Sequence, residues 1–352
     1  MGDRGVPADV ERRLGTARQV GASAGVALAA LLAAAGGAGA GTYANPVLVD
    51  THEIRRASPA PYVGTLGIGD PAVIRHGDRY YLYPTGDNFS YDVYVSRDLV
   101  LWDKGPKVFR SGTMGVWAPD VFFSAEDGLF YLYYTVNGRI GVASSDRPDG
   151  EFADRGILVE GGIDAHFFRD DDGSGYLYYA RYPSFAIFVQ PMQSPARTKG
   201  VPVELLAPSE AWERRDVPVT EAPWVIKDTG IYYLLYSGGS ANSEHYAIGY
   251  ATAASPLGPF TKHRGNPIVR AAEGVFGPGH PSVVRDSDGG LWMVYHQQKD
   301  ATRGWNRVIC IDPIWFDAEG VLHAAASRAT PRPAPAARPG SREPPHRPGR
   351  GG

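Results

Sequence analysis

One local design is written five times along this chain, and that repetition constrains the fold more than any other feature. Its copies are Asp70-Pro71-Ala72-Val73-Ile74, Trp117-Ala118-Pro119-Asp120-Val121, Ile163-Asp164-Ala165-His166-Phe167, Thr220-Glu221-Ala222-Pro223-Trp224-Val225 and Gly279-His280-Pro281-Ser282-Val283. Each opens a short apolar run that ends in a turn rich in Asp and Gly: His76-Gly77-Asp78, Glu126-Asp127-Gly128, Asp171-Asp172-Gly173, Asp228-Thr229-Gly230 and Asp288-Gly289-Gly290. Asp and Gly between apolar runs are the strongest short-range hairpin signal. The second strands are Tyr80–Tyr83, Phe130–Tyr133, Tyr176–Tyr179, Tyr232–Leu235 and Leu291–Val294, all but the last rich in Tyr. A third strand follows in each, at Asp92–Val95, Ile140–Ala143, Ile187–Gln190, Ala247–Tyr250 and Val308–Ile311. No stretch with a helical period competes with them. Repeats of about 46 to 58 residues, each a small antiparallel sheet, match the blade of a propeller. The expected fold is therefore all-β, a five-bladed β-propeller with antiparallel blades around a central channel. A β-sandwich is the competing architecture, but it does not predict a fivefold repeat. Tyr43-Ala44-Asn45-Pro46-Val47 reads as an outer strand that closes the ring.

The propeller occupies residues 42–327, and the two ends are of different character. Residues 1–41 run from a polar stretch with Arg4, Arg12, Arg13 and Arg18, through an apolar Val/Ala/Leu segment, to the small residues Gly36–Gly41. That order is the pattern of a secretory signal peptide or leader, so the expected location is secreted, outside the cell. Its apolar part is short of the roughly 20 residues that a membrane span needs, so no transmembrane span is expected in the mature protein. Residues 328–352 are Pro, Arg, Ala and Gly with almost no large apolar side chain, which predicts a disordered tail. A net charge of −3 without a basic stripe excludes a nucleic-acid partner. Cys310 is the only cysteine, so no intrachain disulfide can form, and its place in a strand predicts a buried, inert thiol.

In a propeller the first strand of each blade begins near the axis at one mouth of the channel, so equivalent positions of the repeat converge. Asp70, Asp164, Glu221 and His280 are read at those positions, with Trp117 in the second blade. Singly, each acid has an ordinary reading: Asp-Pro caps a turn, and Asp164 precedes the acidic loop Asp170-Asp171-Asp172. Together they form three carboxylates in one funnel, which cannot all ionise without cost, so their pKa values must separate. Separated carboxyl groups supply a general acid and a general base, the minimal machinery for hydrolysing a glycosidic bond. His166, two residues beyond Asp164, is expected on the same face and thus in the pocket.

The motifs Gly69-Asp70-Pro71, Trp117-Ala118-Pro119-Asp120, Ile163-Asp164, Thr220-Glu221-Ala222-Pro223 and Gly277-Pro278-Gly279-His280, in that order at blade spacing, resemble glycoside hydrolase family 43. This is a family of inverting five-bladed propellers acting on arabinofuranosides, xylosides and related plant polysaccharides, and the resemblance covers about residues 42 to 323. It implies an arabinose- or xylose-containing carbohydrate as substrate. It implies Asp70 as general base, Glu221 as general acid, and Asp164 as the third carboxylate that keeps the acid protonated and oriented. It further implies Arg307 as a sugar contact, with Arg303 as competitor, and Trp117, Trp224 and Phe276 as apolar walls for the sugar ring. His280 is implied as a substrate-side or metal-binding residue, with a structural calcium ion in the central channel as the candidate metal; no cofactor is required for the chemistry.

Two other functions compete. A retaining, fructosidase-type propeller also uses three acids, but calls for Asn-Asp-Pro, Arg-Asp-Pro and Glu-Cys where this chain has Gly69-Asp70, Ile163-Asp164 and Glu221-Ala222. A non-catalytic, glycan-binding propeller keeps the funnel without turnover. Arabinose against xylose, and exo against endo action, depend on rim loops expected within Thr198–Asp216 and Ser237–His245.

Overall fold

The five first strands, Gly69–His76, Val116–Ser124, Gly162–Arg169, Thr220–Asp228 and Gly279–Arg285, pack one on the next in a closed ring, the fifth returning to the first. The computed structural model describes residues 41–56 and 62–337; the segment expected to be a leader, up to residue 40, and the chain beyond 337 lie outside the described residues. From each first strand an antiparallel sheet grows outward in chain order. Blade one continues with Arg79–Thr85, Ser90–Ser96 and Trp102–Arg110, and blade two with Leu129–Val136, Arg139–Ser145 and Ala153–Glu160. In blade three, Gly175–Arg181 and Ala186–Ser194 are followed by two short strands, Arg197–Thr198 and Val203–Leu206, which both pair with Ala186–Ser194. Blades four and five end in the short strands Thr261–Lys262 and Leu322–Ala324. A separate hairpin, Thr51–Arg56 with Tyr62–Gly67, precedes blade one. The described residues contain no helix, so none is long and apolar enough to cross a membrane. The result is the expected five-bladed β-propeller.

The repeat explains itself physically. The first hairpin turn of every blade carries a glycine with positive φ: Gly77 (64°), Gly128 (73°), Gly173 (84°), Gly230 (85°) and Gly289 (90°). A Cβ at any of them would meet nothing within 4 Å, so the requirement is backbone conformation and not space. The Tyr-rich second strands fill the interfaces between blades. Tyr83, Tyr133 and Tyr178 are buried there, and each hydroxyl crosses to the next blade to donate to a corner carbonyl, of Pro148 (2.7 Å), Pro195 (2.8 Å) and Pro256 (2.7 Å). Each thus combines a large apolar ring with a satisfied polar tip. Cys310 is buried in an apolar cluster shared by blades four and five, where burial pushes its thiol up.

Ring closure differs from the sequence reading. The segment at Tyr43–Val47 adds no regular outer strand to a blade; its end only touches the third strand of blade five, through Val47 N–H to Ile309 O (3.0 Å) and an isolated antiparallel bridge between Leu48 and Ile309. Thr42–Tyr43 pairs instead with Arg332–Pro333, and Asn45 drives its amide into blade five. There Asn45 Nδ2 donates to Ile311 O (2.8 Å), Ser327 Oγ (2.9 Å) and Asp312 Oδ2 (3.1 Å), while its Oδ1 accepts from Ile311 N–H (2.9 Å). Tyr43 OH donates to the same Asp312, which is fully buried. The expected tail is corrected over its first ten residues. Arg328 donates to Gln297 and to the Lys299 carbonyl, Ala334 is buried with its N–H on Gly41 O, and Ala336 N–H reaches Asp286. A strap without large apolar residues is held because its backbone groups and two guanidinium groups, of Arg328 and of Arg332 beside Asp312 (3.6 Å), find partners.

This clamp yields a stability prediction. Asn45→Ala leaves buried groups of Ile311, Asp312 and Ser327 short of a partner, each at a cost of about 1–3 kcal/mol. Denaturant unfolding should show a loss of about 2–4 kcal/mol without a change in folded-state activity. A loss below about 0.5 kcal/mol would mean that Asn45 does not close the ring.

Candidate active site

At the start of every first strand the backbone makes the same move. Asp70 (φ 49°), Ala118 (39°), Asp164 (57°), Ala222 (53°) and His280 (55°) are all left-handed, and the ladder to the second strand shifts register immediately around each. Non-glycine residues in this region are strained, and strain repeated five times at one mouth of a channel marks a site where the fold aims side chains. The shared geometry also corrects the alignment of the acids. Asp70 and Asp164 are equivalent to His280, Ala118 and Ala222, whereas Glu221 sits one residue earlier, in register with Gly69, Trp117, Ile163 and Gly279. The prolines at 71, 119, 223 and 281 carry this signal in the sequence.

A pocket of about 460 Å³ lies at this mouth, and Asp70, Asp164, Glu221, His280, Arg307 and Trp117 all line it. Burial alone would raise the Asp70 carboxyl, but charged neighbours hold it well below the usual range. The foremost is Arg307, whose Nη1 donates to Asp70 Oδ1 at 2.5 Å; His280 and His296 each bring Nδ1 to 3.3 Å from the same oxygen. Burial lowers His280 to about 4 and also lowers His296, so at neutral pH the guanidinium is the lasting positive charge beside Asp70. Gly69 makes room for it, since a Cβ there would run into the guanidinium, while a Cβ on Gly67 would strike the Arg307 backbone.

The other two acids behave oppositely. Burial raises Glu221 to about 7, against a hydrogen bond of 2.8 Å that its Oε1 accepts from Tyr246 OH, and the charge of Asp70 pushes it the same way. Burial, then the charges of Glu221 and Asp70, raise Asp164 well above the usual range. Asp164 Oδ2 accepts the N–H of Ala222 at 3.1 Å, so Asp164 is held one residue from the acid it opposes. At neutral pH the site therefore contains one carboxylate that stays ionised and a coupled pair that retains a proton. That is an acid and a base within one pocket.

Three expected positions fall elsewhere. Trp224 stacks on His166 (4.1 Å between ring centroids, 26° between planes), and both line a different pocket with Phe316 and Lys227. The ladder shift between Ile163 and His166 breaks strand alternation, so His166 faces Asp120 (3.2 Å) and Trp224 and not the acids. Phe276 does not line the acid pocket; its carbonyl accepts the N–H of Gln298. Arg303 ties loops together through Asn242 Oδ1 and Ser240 Oγ, which leaves Arg307 as the arginine of the pocket. The rim is aromatic: Trp117 is joined by Tyr182 and Trp305, about half exposed, which the sequence reading missed because neither belongs to the repeat. Of the two expected rim segments, Ser237–His245 contributes Ser240 and Ala241, while the other wall comes from Val217 and Val219, just past Asp216.

The donors do not fit a calcium ion at His280. Among the described residues no three His, Cys, Asp or Glu side chains are arranged to hold a metal. His280 and His296 converge on one oxygen of Asp70 that Arg307 already occupies, so a divalent cation there would face a guanidinium.

The comparisons with known proteins agree with this geometry. The family model for glycosyl hydrolases family 43 matches residues 63–322. A β-D-galactofuranosidase of Aspergillus niger is 30% identical over 290 residues, spanning 72% of this chain and 81% of that protein. Xylosidase/arabinosidase 43A of Humicola insolens is 27% identical, spanning 75% of this chain and 98% of its own. Among solved structures, a thermostable family-43 glycoside hydrolase superposes with a TM-score of 0.74 at 35% identity, covering 84% of this chain and 99% of that one. This propeller, with its ionised and protonated carboxyl groups in one funnel, belongs to glycosyl hydrolase family 43.

Proposed function

We propose that the protein hydrolyses α-L-arabinofuranosyl linkages of plant-type glycans with inversion at the anomeric carbon. Asp70 removes a proton from the attacking water, Glu221 protonates the departing oxygen, and Asp164 keeps that proton on the pair until the bond breaks. The opposite states of Asp70 and Glu221 carry this reading, since an inverting reaction needs base and acid ready at the same pH. Trp117, Tyr182 and Trp305 supply faces against which a sugar ring packs. The choice of a furanoside rests on the relative named as a β-D-galactofuranosidase, and that of arabinose on the one named as a xylosidase/arabinosidase; a galactofuranoside differs in composition from an arabinofuranoside by one hydroxymethylene unit. The charged, apolar and small-residue order of residues 1–41 supports a secreted enzyme that meets its substrate outside the cell.

The test uses purified full-length protein with aryl α-L-arabinofuranoside, β-D-xyloside and β-D-galactofuranoside, followed by proton NMR. The expected result is fastest turnover of the arabinofuranoside, with the β-sugar as first product. Retention would favour a double-displacement propeller, preference for the xyloside would move the substrate class, and absence of turnover on all three and on arabinan oligosaccharides would favour glycan binding.

A further inference from the structure

The left-handed residue at the head of each first strand turns its N–H out of the ladder, and that N–H needs an acceptor. Four blades solve the problem alike. The second strand of one blade sends a side chain across to the left-handed N–H of the next: Thr85 Oγ1 to Ala118 (2.7 Å), Thr135 Oγ1 to Asp164 (3.3 Å), Ser237 Oγ to His280 (2.8 Å) and His296 Nδ1 to Asp70 (3.1 Å). These four acceptors hold one register position, opposite Gly69, Trp117, Glu221 and Gly279. In blade three that position, opposite Ile163, is Ala180, which is buried and has no acceptor to offer. The N–H it leaves is that of Ala222, and Asp164 Oδ2 takes it.

We propose that Ala180 is a positioning residue for catalysis: its missing hydroxyl commits one oxygen of Asp164 to the Ala222 N–H, and this aims the carboxyl at Glu221. The inference rests on the acid role of Glu221 for its catalytic half only. A serine or threonine at 180, the choice made in the other hydroxyl-latched blades, would satisfy Ala222 without Asp164 and leave that carboxyl free to turn. The N–H bond also favours the charged form of Asp164, against the burial and neighbouring carboxyls that raise it, and so shifts the pair's proton toward Glu221, where the reaction uses it. The other charged or titratable groups facing the pair are Asp70 and Tyr91 from blade one, Tyr246 from blade four, and Arg307 and His280 from blade five. None of them reaches the Ala222 N–H.

Two measurements test this. The first is thermal unfolding and needs no turnover. Asp164→Asn keeps an oxygen for the Ala222 N–H and Asp164→Ala does not, while both remove the charge. Asp164→Ala should therefore melt about 2–4 °C below Asp164→Asn, and adding Ala180→Ser to Asp164→Ala should recover most of that difference. Equal melting of the two single variants, or a double variant no more stable than Asp164→Ala, would overturn the latch. The second is the pH profile of kcat/KM for Ala180→Ser in the otherwise native enzyme. The serine competes for the N–H, the pair's proton moves toward Asp164, and the alkaline limb shifts down by about half a pH unit or more. Ala180→Cys, similar in shape but a weak acceptor, should leave the limb in place. A serine profile that coincides with the native one, or a cysteine profile that shifts equally, would overturn the positioning role.

Discussion

Glu221→Gln is expected to lower kcat by about 10²- to 10⁴-fold on an arabinofuranoside whose leaving group is another sugar. The loss should be far smaller on an aryl glycoside whose phenol departs readily as its anion. An acid is needed only where the departing oxygen would otherwise leave as a strongly basic alkoxide. The amide preserves size and can still accept from Tyr246, so the change removes the proton and little else. The native pH profile follows with its sign. Glu221 works protonated, and burial sets it near 7, so kcat/KM is retained on the acid side and falls as pH rises through about 7. In the glutamine variant, assayed on the aryl substrate, that limb should vanish. Equal losses on both leaving groups, or a persistent alkaline limb, would mean that Glu221 is not the proton donor.

How this site was visible before the fold is clear from its parts. The hairpins were legible because Gly77, Gly128, Gly173, Gly230 and Gly289 are required by a positive φ, a demand that one residue type meets. The acids were legible because each stands beside a proline or an apolar run at the head of a strand. Their equivalence was misjudged by one residue at Glu221, since periodicity locates a strand but not the bulge that sets which residue turns into the funnel. The equivalent bulge in blade three sent His166 to a different pocket, beside Trp224, where strand alternation had predicted the face of Asp164. Outer strands such as Trp102–Arg110 were hidden because their largely exposed faces carry Asp103, Lys104 and Lys107 in place of an apolar alternation. The latch was beyond reach for a different reason. Thr85, Thr135, Ser237 and His296 are far apart and chemically unlike, and their common role is set by cross-blade distance. The ring clamp at Asn45 and the aromatic rim at Tyr182 and Trp305 likewise come from segments outside the repeat.

Asp70→Gly is expected to abolish water-dependent turnover, by about 10²- to 10⁴-fold or more, whatever the leaving group. This is the opposite of the Glu221 pattern, because attack by water on the anomeric carbon needs its proton removed even when departure is easy. Glycine suits the site, since Asp70 occupies φ 49°, where a side chain is a burden. The substitution also frees the guanidinium of Arg307 in the space the carboxylate leaves. Added azide, an anion that needs no base, should enter that space and attack in place of water on an activated aryl α-L-arabinofuranoside. The carbon–azide bond forms as the bond to the phenolate breaks, and the product is the β-arabinofuranosyl azide. Arg307→Met tests the same oxygen from the other side. Asp70 acts ionised, so activity is lost as pH falls through its pKa, and in the native enzyme Arg307 holds that limb well below the usual carboxylate range. Without the guanidinium, burial dominates, the acid limb climbs, and the working window narrows against the limb near 7 set by Glu221. An α-azide product would indicate retention and two displacements. An unmoved acid limb in Arg307→Met would return Arg307 to the role of a plain sugar contact.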